Sequence, residues 1–151
     1  MRDTRQAVIL VAEDNGADVQ LTLTALRDAQ APPTIFVVSD GEQALAFLNR
    51  AGRYIAAPHP DLVLLDLSLP KVDGYQVLET MKADPVLRRI PVVVVSSSSR
   101  EMDIARAYDA QISTYIVKPP GVDAYFGAIR SLKELWLHAA TLPPREEPAS
   151  V

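Results

Sequence analysis

The chain has 151 residues, no cysteine and a formal net charge of -4. At this length one domain buries roughly 68 to 70% of the surface its unfolded chain exposes, and the absence of Cys excludes disulfides, thiolate metal sites and thiol redox chemistry. The acidic balance, the lack of a basic run, of a secretory leader before the first strand and of any apolar run of membrane-helix length give the expectation of a cytoplasmic protein that engages neither nucleic acid nor membrane.

Short apolar runs alternate with helical patterns, the signature of a doubly wound α/β fold. The first strand is expected at about Ala7 to Ala12, followed by a helix from about Ala17 to Asp28 with Leu21, Leu23, Ala25 and Leu26 on its apolar side; Ala31-Pro32-Pro33 ends it. A second strand, Thr34 to Val38, leads into Ser39-Asp40-Gly41, where Ser39 or Asp40 caps a helix carrying Ala44, Leu45, Phe47 and Leu48. Gly52 to Pro60 reads as a loop, and strand 3 follows from Leu62 to Leu65. Asp73 and Gly74 open a third helix, with Val77, Leu78 and Met81 at three- and four-residue spacing and Pro85 as its stop. Strand 4, Val92 to Val95, gives way to four serines, Ser96 to Ser99. The fourth helix is expected over Glu101 to Asp109, strand 5 over Thr114 to Val117, and the fifth helix from about Val122 to His138. Residues 1–140 thus form one domain, and Thr141 to Val151, with three prolines and no apolar period, is expected to be a mobile tail.

Each strand-like run but the second ends in a polar residue suited to chemistry: Glu13 and Asp14, then Asp66, Ser96 and Lys118. In open α/β sheets the ligand crevice lies outside the carboxyl ends of the strands. Three acids gathered there repel one another, and a hard divalent cation removes the problem; Mg²⁺ accepts carboxylates, backbone carbonyls and waters and leaves room for phosphate oxygens. Asp66 then suits a nucleophile that forms an aspartyl-phosphate, Lys118 a point charge facing the phosphoryl group, and Ser96 a hydroxyl donor to one of its oxygens. Any one of these residues alone is an ordinary cap, turn or surface residue; the joint placement is what points to a site. His59 and His138 lack ligand-like spacing and read as surface residues.

At these positions the chain resembles the receiver domain of bacterial response regulators, over about Ala7 to Leu137. The resemblance is carried by Ile9-Leu10-Val11-Ala12-Glu13-Asp14-Asn15, by Leu64-Leu65-Asp66-Leu67-Ser68-Leu69-Pro70-Lys71-Val72-Asp73-Gly74, by Pro91 to Ser97, and by Tyr115-Ile116-Val117-Lys118-Pro119. It implies a flavodoxin-like five-stranded parallel sheet of order 2-1-3-4-5. It implies phosphorylation of Asp66 by a partner histidine kinase or phosphotransfer protein. Asp14, Asp66 and the backbone carbonyl of Ser68 would ligate Mg²⁺, and Glu13 would act through water. Ser96 and Tyr115 become switch residues, and a cis peptide is implied between Lys118 and Pro119. Ser96 stands where the family also uses Thr. The long Gly52 to Pro60 loop, the serine run and the ending Leu135 to Pro143 resemble small single-domain regulators paired with bacterial phytochrome kinases.

The expectation is therefore a stand-alone response regulator, a phosphoacceptor rather than an enzyme, that signals through a changed surface. One alternative is a metal-dependent phosphatase with an Asp nucleophile, although the haloacid dehalogenase pattern wants an Asp where Ser68 stands; another is a pseudo-receiver that binds partners without phosphorylation. On the fifth helix Val122, Tyr125, Phe126, Ile129, Leu132 and Trp136 share a side that covers the sheet, while Leu135 and Leu137 flank it. This surplus gives the expectation of a homodimer through helix 4, strand 5 and helix 5, with Tyr108, Tyr115, Leu135 and Trp136 near the contact.

Overall fold

The computed structural model describes residues 6–145. Five strands, β1 (Val8–Ala12), β2 (Thr34–Val38), β3 (Leu62–Leu65), β4 (Val92–Ser96) and β5 (Thr114–Val117), pair in parallel in the order β2-β1-β3-β4-β5. The helices are α1 (Gly16–Arg27), α2 (Gly41–Leu48), α3 (Gly74–Ala83), α4 (Glu101–Asp109) and α5 (Val122–Lys133). The expected order of strands and helices is the observed one.

Strand side chains point alternately to the two faces of a sheet, and here the alternation divides the core in two. Leu10, Val63, Leu65, Val92 and Val94 pack with Phe47 of α2, with Val77, Leu78 and Met81 of α3 and with Ala107 of α4. Ile9, Val11, Leu62, Leu64, Val93 and Val95 pack with Ala25 and Leu26 of α1 and Tyr125, Ile129 and Leu132 of α5. Burial on both faces explains why the central strands are apolar without polar alternation in sequence.

Local chemistry sets the helix starts. Asn15 caps α1, Asp40 caps α2, and Asp73 forms a reciprocal capping box with Gln76 at α3. The long loop after α2 contains one tight helical turn, Gly52–Tyr54, and the Tyr54 ring meets Phe47 edge-on at 5.2 Å.

Three expectations about the C-terminal third are corrected. Regular α5 stops at Lys133, and Glu134–Ala139 continues as a wider π-helical turn in which Ala140 N–H donates to the Leu135 carbonyl, five residues back. That wider turn carries Leu137 onto the α1/α5 core alongside Phe126 and Trp136 and leaves Leu135 half exposed, so the two leucines do not flank the stripe alike. Val122, in the first turn of α5, is exposed rather than part of the sheet-covering side. Beyond α5, Arg145 grips buried Asp61 with two hydrogen bonds of 3.0 and 2.6 Å, and Asp61 also accepts from the N–H of Val8; residues 146–151 lie outside those described.

Candidate phosphoryl site

The strands deliver their polar ends to one place. Glu13 follows β1, pinned by its own N–H donating to Val38 of β2, and Asp66 follows β3, pinned by its N–H donating to Ala12 of β1. Lys118 follows β5, its N–H donating to Ser96, the last residue of β4. The loop after Asp66 returns tightly onto α3. A Cβ on Gly74 would lie 2.6 Å from the Leu67 Cα and 2.8 Å from the Asp66 carbonyl oxygen, so only glycine lets α3 start this close to the site.

At the centre is the Lys118 ammonium. It donates to Glu13 Oε2 at 2.8 Å, Asp18 Oδ2 at 2.9 Å and Asp66 Oδ2 at 3.1 Å, which uses all three of its N–H bonds. The other oxygen of Asp66 receives the backbone N–H and the hydroxyl of Ser68, at 3.0 and 2.9 Å. Glu13 and Asp66 are almost wholly buried, whereas Asp14 is exposed.

These surroundings separate the two buried acids. Burial pushes the Glu13 carboxyl up to about 7, with the Asp66 charge adding to the effect, although Lys118 and the Asn15 N–H oppose it. Burial is also the largest single influence on Asp66 and pushes it up. The Ser68 donors and the Lys118 charge together outweigh it, so Asp66 titrates below the ordinary carboxylate value. Burial disfavours the Lys118 ammonium, and its carboxylate partners win, leaving it protonated well above its ordinary range.

The donor set fits a hard cation. One oxygen from each of Glu13, Asp14 and Asp66 lies within 4.8 Å of the others, and oxygen-only carboxylate donors are what Mg²⁺ selects. Lys118 already neutralises part of this charge from the protein side.

Ser96 and Tyr115, expected as switch residues, are joined through the loop after β4. The buried Ser96 hydroxyl oxygen accepts from the N–H of Ser98 at 3.2 Å, and the Tyr115 hydroxyl donates to the Ser98 carbonyl at 2.9 Å. The Ser98 hydroxyl and the Arg100 side chain bind Asp103, and the Tyr75 hydroxyl donates to the Asp103 carbonyl with the Arg106 guanidinium 3.7 Å from the Tyr75 ring centroid. The peptide between Lys118 and Pro119 is not cis, contrary to what the resemblance implied. It keeps the isomer that X-Pro bonds ordinarily prefer, and Lys118 reaches all three carboxylates in that form.

Sequence reasoning missed Asp18, Tyr75 and Asp103. Asp18 had a local signal, since it stands three residues after the helix-capping Asn15, where an acid faces the helix N-terminus. Tyr75 and Asp103 had none, because their meeting depends on how α3 and α4 pack.

Residues 9–130 match the response regulator receiver domain. The chain is 38% identical over 136 residues to the response regulator Rcp1 of Synechocystis sp., covering 90% of this chain and 92% of that protein. Among solved structures it is similar to the phosphorylated cyanobacterial phytochrome response regulator RcpA, with a TM-score of 0.91 and 44% identity over 93% of this chain and 100% of the other. It is also similar to the Mn²⁺-bound form of Rcp1, with a TM-score of 0.89 and 38% identity over 91% of this chain and 99% of that one.

Proposed function

The chain belongs to the response regulator receiver family, and from that premise we propose that it accepts a phosphoryl group on Asp66 from a histidine kinase in a Mg²⁺-dependent reaction. The observation that carries the reading is the asymmetric treatment of Asp66: Ser68 and Lys118 keep it ionised although it is buried. An ionised carboxylate is the competent nucleophile. One of its oxygens attacks phosphorus of a phosphohistidine, the O–P bond forms, and the P–N bond breaks with its electron pair leaving on the imidazole nitrogen. Lys118 faces the negative charge gathering on the phosphoryl oxygens, and Ser96 is the hydroxyl one strand away that turns toward them.

Glu13, Asp14, Asp66 and the Ser68 carbonyl would hold the Mg²⁺, which supplies further neutralisation of phosphoryl charge. The site acts as a phosphoacceptor in signalling rather than as a turnover enzyme. In place of the second acid of a phosphatase stands Ser68, whose hydroxyl is already given to Asp66. The added charge, roughly -1.5 to -2 units, is read out through the Ser96, Ser98 and Tyr115 connection.

The kinase is of the phytochrome type, a reading supported by the names of the similar proteins, and the protein works in the cytoplasm. The output surface is a homodimer face on α4, β5 and α5, where Met102, Tyr108, Val117 and Leu135 are exposed, Tyr115 and Trp136 lying beside it. Incubation with Mg²⁺ and a small phosphodonor tests the core of the proposal by intact mass. Wild type gains one phosphoryl group and Asp66→Asn gains none; equal labelling of both would move the phosphosite elsewhere.

A further inference from the structure

One carboxylate at the site has no part in the chemistry just proposed. Asp18, in the first turn of α1, accepts from the Lys118 ammonium at 2.9 Å. It lies outside the group of acids whose oxygens converge closely enough to share an ion, which among the described residues is Glu13, Asp14 and Asp66. Backbone bonds fix its place. The N–H of Asp18 donates to the capping Asn15 side chain at 3.0 Å, and the N–H of Asn15 donates to Glu13 Oε1 at 3.0 Å. Since Glu13 Oε2 accepts from Lys118, the residues Glu13, Asn15, Asp18 and Lys118 close a ring of hydrogen bonds between the ends of β1 and β5. One turn further along α1 the Thr22 and Tyr125 hydroxyls meet at 3.1 Å in the interior, which holds α1, and Asp18 with it, against α5.

The three partners of Lys118 fare differently in the reaction. Phosphorylation converts an Asp66 oxygen into the bridging oxygen of an acyl phosphate, and Glu13 belongs to the acids that would hold the metal. Asp18 takes part in neither event. We infer that Asp18 is a positioning residue that anchors the Lys118 ammonium beside the phosphoacceptor while Glu13 and Asp66 change partners. The inference rests on Asp66 being the phosphoacceptor. Charge alone argues the other way, because a carboxylate beside the site repels an incoming phosphodonor anion, so without an anchoring role its neutralisation would speed labelling.

The test is the rate of labelling by a small phosphodonor at saturating Mg²⁺, read by intact mass, in wild type, Asp18→Asn, Lys118→Met and the double variant. Asp18→Asn should slow labelling about tenfold, the effect of losing one charge-assisted hydrogen bond. In the Lys118→Met background the same change should not slow labelling, and any change should be toward a faster rate, because no ammonium is left to anchor and only the repulsion of the phosphodonor is removed. Labelling of Asp18→Asn at or above the wild-type rate, or equal slowing in both backgrounds, overturns the inference. A wild type that does not label overturns the phosphoacceptor reading itself, and the inference with it. Where Lys118→Met labels too slowly to compare, acetylation of Lys118 by an amine-reactive reagent decides: a several-fold faster modification in Asp18→Asn than in wild type supports the anchor, and an unchanged rate overturns it.

Discussion

Replacing Lys118 by Met deletes the ammonium and keeps most of the stem, which isolates the charge at the centre of the site. In the wild type the Lys118 side chain is 12% exposed and those of Glu13 and Asp66 are each 5% exposed, so little solvent is available to take over its role. Without the ammonium the carboxylates of Glu13 and Asp66 face each other within 4.8 Å, and at an effective dielectric of about 20 two unit charges at that separation repel by about 3.5 kcal/mol. Removing one partner of a buried ion pair elsewhere costs about 3 to 5 kcal/mol, and we expect a loss of that size in urea unfolding near pH 8 with a chelator present.

Two dependences separate charge from packing. Millimolar Mg²⁺ should restore most of the loss, since a cation returns the compensating charge. The second is pH. Loss of the ammonium raises the pKa of both carboxyl groups relative to the wild type, so the penalty exists where they are ionised and shrinks as pH falls from about 8 toward 5. A loss that is equal at both pH values and indifferent to Mg²⁺ would refute the reasoning and leave Lys118 a packing residue.

The metal-free wild type should itself lose stability as pH rises. The Glu13 pKa is raised from 4.5 to about 7 in the folded chain, so its contribution is fully present below 4.5 and lost as pH passes through about 7. The shift corresponds to on the order of 3 kcal/mol, and Glu13→Gln should flatten this part of the urea-unfolding profile. Asp14→Ala should weaken Mg²⁺ binding in calorimetric titration while changing stability by less than about 0.5 kcal/mol, because Asp14 is exposed. Gly74→Ala should cost about 1 to 3 kcal/mol in thermal or urea unfolding and slow labelling of Asp66, because its Cβ drives the Asp66–Leu67 backbone out of place. Leu135→Glu should leave the fold intact and lower the mass seen by light scattering across a concentration series; a wild type that stays monomeric at high concentration, phosphorylated or not, would remove the dimer.

Much of this protein was decided by local chemistry that a sequence displays. Runs such as Leu62–Leu65 and Val92–Val95 are too short for typical helices, the second is wholly β-branched, and the capping residues Asp40 and Asp73 mark where chain direction turns. The placement of Glu13, Asp14, Asp66 and Lys118 at strand ends was legible for the same reason: in a parallel sheet every strand end with the same polarity lies on one edge. Local pattern did not decide how a helix behaves beyond its regular turns. In the π-helical turn after Lys133, Leu137 lies against the core half-buried and Leu135 is turned outward, a departure that a 3.6-residue period cannot reveal. Nor did it decide partners. Lys118 is 100 residues from Asp18 and 105 from Glu13, and Tyr75 is 28 from Asp103, so these contacts exist only once β5 lies beside β4 and α4 beside α3. Backbone period and capping act over a few residues, whereas the shared ammonium and the tuning of Glu13 against Asp66 arise from burial and from charges brought in by distant strands, which only the assembled sheet supplies.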